Sequence, residues 1–208
     1  DGPVIDSIAR VLVYLVAAAP AQSQPLHVFD SAHVPRISVD SYLQRLRKTF
    51  QCSTASFVGA LVILDRLLLD RRLHGQEPQR LTAWNIHRLF LTCLVSSVKY
   101  NEDLAHGNGH YAKAGGVNPK ELGSLERFLL QALDFDLRAR PEQFWSYACA
   151  LRALDSSPRS AVPRPLAAAV GGGCSGKEEA LAQRERNGPP VVAAAALWRL
   201  AGIVSALC

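Results

Sequence analysis

The stretch between residues 98 and 135 decides the fold of this chain. It begins Val98-Lys-Tyr-Asn-Glu-Asp103 and continues Tyr111-Ala-Lys-Ala-Gly-Gly-Val-Asn-Pro-Lys-Glu-Leu-Gly-Ser-Leu-Glu126-Arg-Phe-Leu-Leu-Gln-Ala-Leu-Asp-Phe135. The first segment ends a predicted helix over 83–100 that carries no charge between residues 89 and 98. A helix that is apolar or small on all sides belongs in the middle of a helical bundle. Residues 101–117 are rich in glycine and predict a loop.

The second segment predicts a helix over 119–135 with a strong start. Asn118 is a preferred N-cap residue, Pro119 suits the first helical position, and Glu121 can complete a capping box. Leucines recur at helical spacing and form the expected buried stripe, at Leu122, Leu125, Leu129 and Leu133. The stretch therefore predicts two consecutive helices, over 83–100 and 119–135, joined by a loop.

Lys99 and Glu126 are the two charges that this pattern places at the edge of the core. Lys99 ends a helix, where the helix dipole favours a cation. Glu126 lies one turn from both Leu122 and Leu129, and therefore at the margin of the stripe or within it. Either the two pair with each other, or they are half-buried charges that meet the charges of a partner. The second alternative predicts a protein-binding surface rather than a catalytic centre.

The rest of the chain is also predicted to be helical, and no segment alternates apolar and polar residues as a strand would. The predicted fold class is therefore all-α. Besides the two helices above, helices are expected over 4–19, 39–50, 55–70, 142–153 and 191–207.

Composition sets broad limits on structure and function. Of the 208 residues 49% are hydrophobic and 20% charged, as in a globular protein, and a net charge of +5 lacks the dense basic clusters of a dedicated nucleic-acid binder. The chain begins at Asp1 without Met, so we expect it to be part of a longer protein. No pair of its five cysteines has C-x-x-C spacing, and Cys52, Cys93 and Cys149 lie among apolar residues. They predict reduced core thiols and an intracellular location, in the cytoplasm or nucleus.

Composition also suggests the domain organisation. Residues 1–36 are read as an N-terminal helix with a Pro/Gln/Ser linker over 20–35, and 37–153 as the main helical domain. Residues 154–190 read as a linker and 191–208 as a C-terminal helix. Neither apolar run predicts a membrane span, because Val11–Ala19 is too short and Arg199 interrupts the tail.

No motif predicts an active site, a cofactor or a metal. Residues 171–178 superficially fit a phosphate-binding loop, but Glu178 replaces the hydroxyl that holds magnesium, and a linker is expected. His106 and His110 are four residues apart, but Gly107 and Gly109 separate them, so solvated loop histidines are expected. Ser157, which precedes a proline, is a weak candidate for phosphorylation in the linker. We expect a protein that is not an enzyme and has no small-molecule substrate.

Several motifs in order resemble a cyclin box. They are Pro35-Arg-Ile-Ser-Val-Asp-Ser-Tyr-Leu, Leu61-Val-Ile-Leu-Asp-Arg-Leu-Leu, Leu81-Thr-Ala-Trp-Asn-Ile-His-Arg-Leu, Val98-Lys-Tyr and Tyr111-Ala-Lys-Ala-Gly-Gly-Val. The last, followed by Glu-Leu-x-x-Leu-Glu, is typical of the P/U-type, phosphate-pathway branch. The resemblance covers about residues 1–153 and implies a five-helix bundle with an extra N-terminal helix and a C-terminal helix.

The resemblance also implies a site. Cyclins carry a lysine at the end of the third box helix and a glutamate in the fourth, and both contact a protein kinase; Lys99 and Glu126 match these positions. Flanking residues are expected to complete the kinase-binding surface, namely Tyr100, Glu102, Tyr111, Lys113 and Phe144. The Met-Arg-Ala-Ile-Leu docking motif of cell-cycle cyclins is missing from helix 39–50. Recruitment of substrates through that patch is therefore not expected.

The implied function is regulatory: the chain would bind and activate a cyclin-dependent protein kinase by positioning the regulatory helix of that kinase. Two alternatives remain open at this point. Cyclin-like folds also occur in transcription factors that bind DNA, which the mildly basic charge allows. The chain could also be a helical scaffold without a kinase partner.

Overall fold

The computed structural model describes residues 2–19, 27–69 and 81–155. The described residues form seven helices and contain no strand, which confirms the all-α class. The helices are α1 (Gly2–Ala18), α2 (Val39–Phe50), α3 (Thr54–Leu69), α4 (Ile86–Asn101), α5 (Asn108–Gly115), α6 (Pro119–Ala132) and α7 (Pro141–Asp155).

Helix α4 lies at the centre of the bundle, as its sequence predicts. It packs against α2, α3, α5 and α6, and every residue from 89 to 98 is buried. Helix α1 covers the bundle from another side by packing against α2 and α7. The predicted stripes of α1 and α6 face the core, since Ile5, Ile8, Leu12 and Leu15, and all four leucines of the α6 stripe, are buried.

Two helix boundaries differ by three residues from the predicted ones. Helix α6 ends at Ala132 rather than at 135, because Asp134 (φ 49°) and Phe135 (φ 59°) adopt the left-handed conformation, which cannot continue a right-handed helix. Helix α4 begins at Ile86 rather than at 83. The preceding residues form a turn in which Asn85 Oδ1 accepts a hydrogen bond from Thr82 N at 2.9 Å.

The predicted loop over 101–117 is wrong in part, because it contains helix α5. The glycines lie at the ends of this helix rather than inside it. Gly107 is the N-cap, and Gly116 is the C-cap with φ of 72°, a conformation that glycine adopts without strain. Gly115 allows a close approach to α4, since a Cβ atom at this position would lie 2.2 Å from Leu91 Cδ2. The glycines therefore end a helix instead of preventing one.

The predicted linker over 20–35 is also corrected, since its second part packs on the bundle. Phe29 is buried and its ring meets that of Phe128 edge to face at 5.5 Å. Ser31 Oγ donates a hydrogen bond to the carbonyl oxygen of Trp84 at 2.6 Å. The segment 27–37 is therefore part of the folded domain.

The thiols differ from one another. Cys93 is buried in the core as predicted, Cys52 is half-buried, and Cys149 is exposed because it faces away from the bundle on α7, so its prediction as a core thiol is wrong. Among the described helices, none is long and apolar enough to cross a bilayer. The predictions for Ser157, the loop 171–178 and the helix 191–207 fall outside the described residues, as does the linker from residue 156 onwards.

Candidate functional site

Three side chains from three helices meet where α4, α5 and α6 converge. Lys99 Nζ donates to Glu126 Oε1 at 2.7 Å, to Glu126 Oε2 at 2.8 Å and to Asn108 Oδ1 at 2.6 Å. Asn108 Nδ2 donates in turn to Glu126 Oε2 at 3.1 Å. We call these three residues the Lys99 network. Each pair of its members is joined by a hydrogen bond, so the geometry of all three is defined together.

The helices place these groups for simple reasons. Lys99 lies in the last turn of α4, where the helix dipole stabilises a cation, and Asn108 is the first residue of α5. Glu126 lies beside the buried leucines of α6, and its side chain is only 14% exposed, against 32% for Lys99. A carboxylate buried to this extent requires a cation and hydrogen-bond donors. Lys99 and Asn108 supply both.

The sequence left two alternatives for Lys99 and Glu126, pairing with each other or with the charges of a partner. In the isolated chain the two residues pair with each other. The carboxylate nevertheless keeps acceptor capacity, because its two oxygens accept three hydrogen bonds where about four can be accommodated. Contact with a partner therefore stays a prediction. Asn108 was missed by sequence reasoning, since an asparagine between two glycines gives no signal of an ion-pair partner.

Glu102, predicted to flank the site, anchors the start of α3. Its Oε1 accepts hydrogen bonds from Ser53 Oγ and Ser56 Oγ, both at 2.6 Å, and from Ser53 N at 3.0 Å. These hydrogen bonds hold the pKa of the Glu102 carboxyl below its ordinary value. A negative charge at a helix N-terminus is also favoured by the helix dipole. The structure therefore gives Glu102 a role inside the domain.

Three other residues that were predicted to flank the Lys99 network differ in exposure. Tyr111 is completely buried, and its hydroxyl accepts a hydrogen bond from His106 N at 2.8 Å. Its side chain therefore offers no exposed area to a partner. Tyr100 is 50% exposed, and Lys113 is exposed on α5. Both of these side chains are accessible.

Phe144 lies on a different element. It is half-buried on α7, where its ring meets that of the exposed Trp145 edge to face at 6.0 Å. Helix α7 packs against α1 and α3, whereas the Lys99 network comes from α4, α5 and α6. Phe144 is therefore presented by a different group of packed helices from the Lys99 network.

The two histidines were expected to be solvated and in a loop. Both are exposed, and His106 lies in the connection before α5, but His110 belongs to α5. Their ring centroids are 4.3 Å apart with planes tilted by 35°, and His110 Nε2 donates to Thr49 O at 3.1 Å. Within the described ranges, no three side chains of His, Cys, Asp or Glu are grouped as a metal ion would require.

Comparison with known proteins agrees with this architecture. The family profile described as Cyclin matches residues 14–137. The chain is 37% identical to Cyclin-U4-1 of Arabidopsis thaliana over 133 residues, which cover 64% of this chain and 63% of that protein. It is 30% identical to Cyclin-P4-1 of Oryza sativa subsp. japonica over 147 residues, or 69% and 67%. It is 37% identical to Cyclin-U3-1 of Arabidopsis thaliana over 124 residues, or 60% and 53%.

The chain belongs to the cyclin family, because the family profile matches more than half of it. Within that family its relatives are U-type and P-type cyclins, so it is a P/U-type cyclin, as the motif over 111–126 indicated. The matched region spans between about half and two thirds of the length of these relatives.

Proposed function

We propose that this chain is a regulatory subunit that binds and activates a cyclin-dependent protein kinase. The observation that carries the proposal is the Lys99 network, in which a lysine and a glutamate at the positions implied by the family are held in one geometry at an accessible rim. Family membership supports a regulatory role. The kinase partner and the mechanism below belong to the proposal.

The activation step follows from what kinases require. A kinase is active only when its own lysine and the glutamate of its regulatory helix are in register. A protein that binds the active arrangement more tightly shifts the kinase population towards it, by as much as the difference between the two affinities. Chemistry on the phosphate then stays with the kinase, and this chain supplies binding energy.

The preformed network favours tight binding. Two hydrogen bonds from Lys99 and one from Asn108 fix the rotamer of Glu126 before any partner arrives. The side-chain entropy that would otherwise be lost on binding, about 0.5–1.5 kcal/mol per ordered side chain, is thereby reduced. Glu126 can accept a further donor from the kinase, and Tyr100, which follows Lys99 in the chain and is 50% exposed, offers accessible aromatic area.

Charge reversal tests the surface. Against a panel of purified cyclin-dependent kinases, we expect Lys99→Glu and Glu126→Lys each to cost about 2–5 kcal/mol of binding and to remove stimulation of peptide phosphorylation. Lys48→Glu is the matched control, because Lys48 is an exposed lysine of α2 that takes no part in the Lys99 network. Normal binding and activation by both reversal variants would show that the interface is assigned wrongly.

The double variant Lys99→Glu/Glu126→Lys separates pairing from recognition. It restores an ion pair inside the domain but presents inverted charges to a partner. We expect its melting temperature to recover relative to the single variants while kinase binding stays lost. Recovery of both properties would mean that the pair serves the fold alone. Steeply salt-dependent binding of duplex DNA by the unmodified chain would instead favour the transcription-factor alternative.

A further inference from the structure

Two exposed imidazole rings lie side by side at the start of α5. His106 is in the connection before α5 and His110 is in the first turn of that helix. Their ring centroids are 4.3 Å apart and their planes are tilted by 35°. We call these two residues the histidine pair. The two glycines between them do not keep the rings apart, because the chain turns into α5 there.

The backbone that carries the histidine pair is held by hydrogen bonds. His106 N donates to the hydroxyl oxygen of the fully buried Tyr111 at 2.8 Å. His110 N donates to Gly107 O at 3.0 Å. Both side chains therefore start from defined positions, and only their own torsions need to adjust when a ligand binds.

The hydrogen bond to Thr49 prepares His110 for a metal ion. His110 Nε2 lies 3.1 Å from Thr49 O, which can only accept, so Nε2 carries the proton. In the neutral ring the lone pair of Nδ1 is then available. A histidine that binds a metal usually donates its other ring N–H to such an acceptor, which fixes the tautomer and the orientation of the ring. His110 therefore has the outer contact that is typical of a metal ligand.

We propose that the histidine pair binds one divalent late first-row transition-metal ion such as Zn²⁺. The ligands are His110 Nδ1 and one ring nitrogen of His106, and water fills the other positions. Imidazole suits these ions. Two imidazoles on one tetrahedral Zn²⁺ have centroids about 5 Å apart, since each Zn–N bond is about 2 Å long. The observed 4.3 Å is close to this value, so small rotations of two exposed rings suffice.

The number of ligands sets the kind of site. Two protein ligands are fewer than the three or four of catalytic and structural zinc sites, so we expect an exchangeable ion. A bound ion would join the connection before α5 to its first turn and so fix the start of this helix. Metal binding is a property of the isolated chain, and it can be measured without a kinase. The proposal can therefore fail independently of the proposed function.

The test is a calorimetric titration of the untagged full chain with Zn²⁺ at neutral pH. We expect saturable binding, which His106→Gln and His110→Gln each weaken at least tenfold, since loss of an outer contact alone typically costs 10–100-fold. Long-range proton–nitrogen NMR of the unmodified chain should show that Zn²⁺ shifts the His110 Nδ1 resonance while Nε2 keeps its proton. This second measurement still decides the matter if a variant does not fold.

Two control variants complete the experiment. His33→Gln removes an exposed histidine of the segment 27–37, and Cys149→Ser removes an exposed thiol that could compete as a ligand. Both should bind Zn²⁺ as the unmodified chain does. The proposal is overturned if binding does not saturate, if either variant of the histidine pair keeps full affinity, or if a control variant loses as much affinity as they do. A resonance of His110 Nδ1 that Zn²⁺ leaves unshifted would also overturn it.

Discussion

Helix α4 is joined to α6 by an ion pair at each end, and the two pairs are built in opposite ways. At the start of α4, the cation of the pair is the more buried member: the side chain of Arg88 is 16% exposed and that of Glu121 is 40% exposed. At the end of α4 the carboxylate is the more buried member, with Glu126 at 14% and Lys99 at 32%.

The two ion pairs therefore have different roles: the Arg88–Glu121 pair holds parts of the fold together, whereas the Lys99–Glu126 pair is accessible to a partner. Arg88 also donates to the main-chain oxygen of Asp30, so it ties the segment 27–37 to the bundle while it holds α6. Lys99 contacts only side chains, in a network that reaches solvent. Removal of the first cation should therefore damage folding, and removal of the second should damage recognition.

The largest expected effect is on kinase binding at the end of α4. Lys99→Ala should cost at least about 2 kcal/mol of affinity for a cyclin-dependent kinase, because Glu126 then faces the interface without its cation. The free energy of unfolding should fall by less, about 1–2 kcal/mol, because the largely buried Glu126 keeps the hydrogen bond from Asn108 but loses its cation. Calorimetric titration and chemical denaturation measure the two quantities. A loss of stability larger than the loss of affinity would erase the contrast between the two ends.

The converse variant acts at the start of α4. Arg88→Ala should lower the free energy of unfolding by about 2–3 kcal/mol, chiefly because the main-chain oxygen of buried Asp30 loses its donor, while the more exposed Glu121 can be solvated. Urea denaturation followed by circular dichroism measures this. The affinity of the folded fraction for a kinase should stay close to that of the unmodified chain. If kinase affinity falls as it does for Lys99→Ala, the two ends are not functionally distinct.

A smaller effect on stability is expected between the two ends of α4, where α5 packs against it. Gly115→Ala would place a Cβ atom 2.2 Å from Leu91 Cδ2, and Leu91 is fully buried. Such overpacking should cost about 2 kcal/mol of stability. Gly109→Ala is the matched control, since nothing lies within 4 Å of a Cβ atom there. Equal stabilities of the two variants, measured by thermal melting, would mean that Leu91 moves aside freely.

The smallest effect should come from Glu102, which anchors the same end of α4 as Lys99. Its pKa is lowered in the folded chain, chiefly by hydrogen bonds from Ser53 and Ser56, relative to an ordinary value of 4.5. Its contribution to stability is therefore present above pH 4.5 and is lost as the pH falls through the folded-state pKa. Glu102→Gln should melt slightly lower than the unmodified chain at neutral pH, and the gap should close below pH 4.5. A gap that does not depend on pH would contradict this account.

Much of the fold could be predicted from local pattern. Helix α2 begins and ends where predicted, at Val39 and Phe50, because Ser38 is a good N-cap and a single apolar face defines the helix. The capping box of Asn118 and Glu121 forms as predicted. Helix α5 could not be predicted in this way, since eight residues of which two are glycine make only a marginal helix alone. Packing against α2, α4 and α6 stabilises it.

The candidate site was predictable only in part. The position of Lys99 in the last turn of a central helix and that of Glu126 beside a leucine stripe follow from periodicity. Their pairing, the role of Asn108 and the burial of Tyr111 do not, because each depends on where α5 lies relative to α4 and α6. No spacing rule connects residues 99, 108 and 126 across two turns of the chain.

The sequence by itself determined the class of fold, the central place of α4 and the branch of the cyclin family, because apolar periodicity, caps and ordered motifs are local properties. Only the tertiary structure decided which charges meet. The two ion pairs of α4 use the same kinds of residue, yet one buries its cation and the other its carboxylate. Which member of each pair is buried depends on the backbone groups and helix ends that pack around it. These come from several segments of the chain, so no single segment encodes the outcome. The stretch from 98 to 135 thus contains all three residues of the Lys99 network, and the packing of α4, α5 and α6 decides how they contact one another.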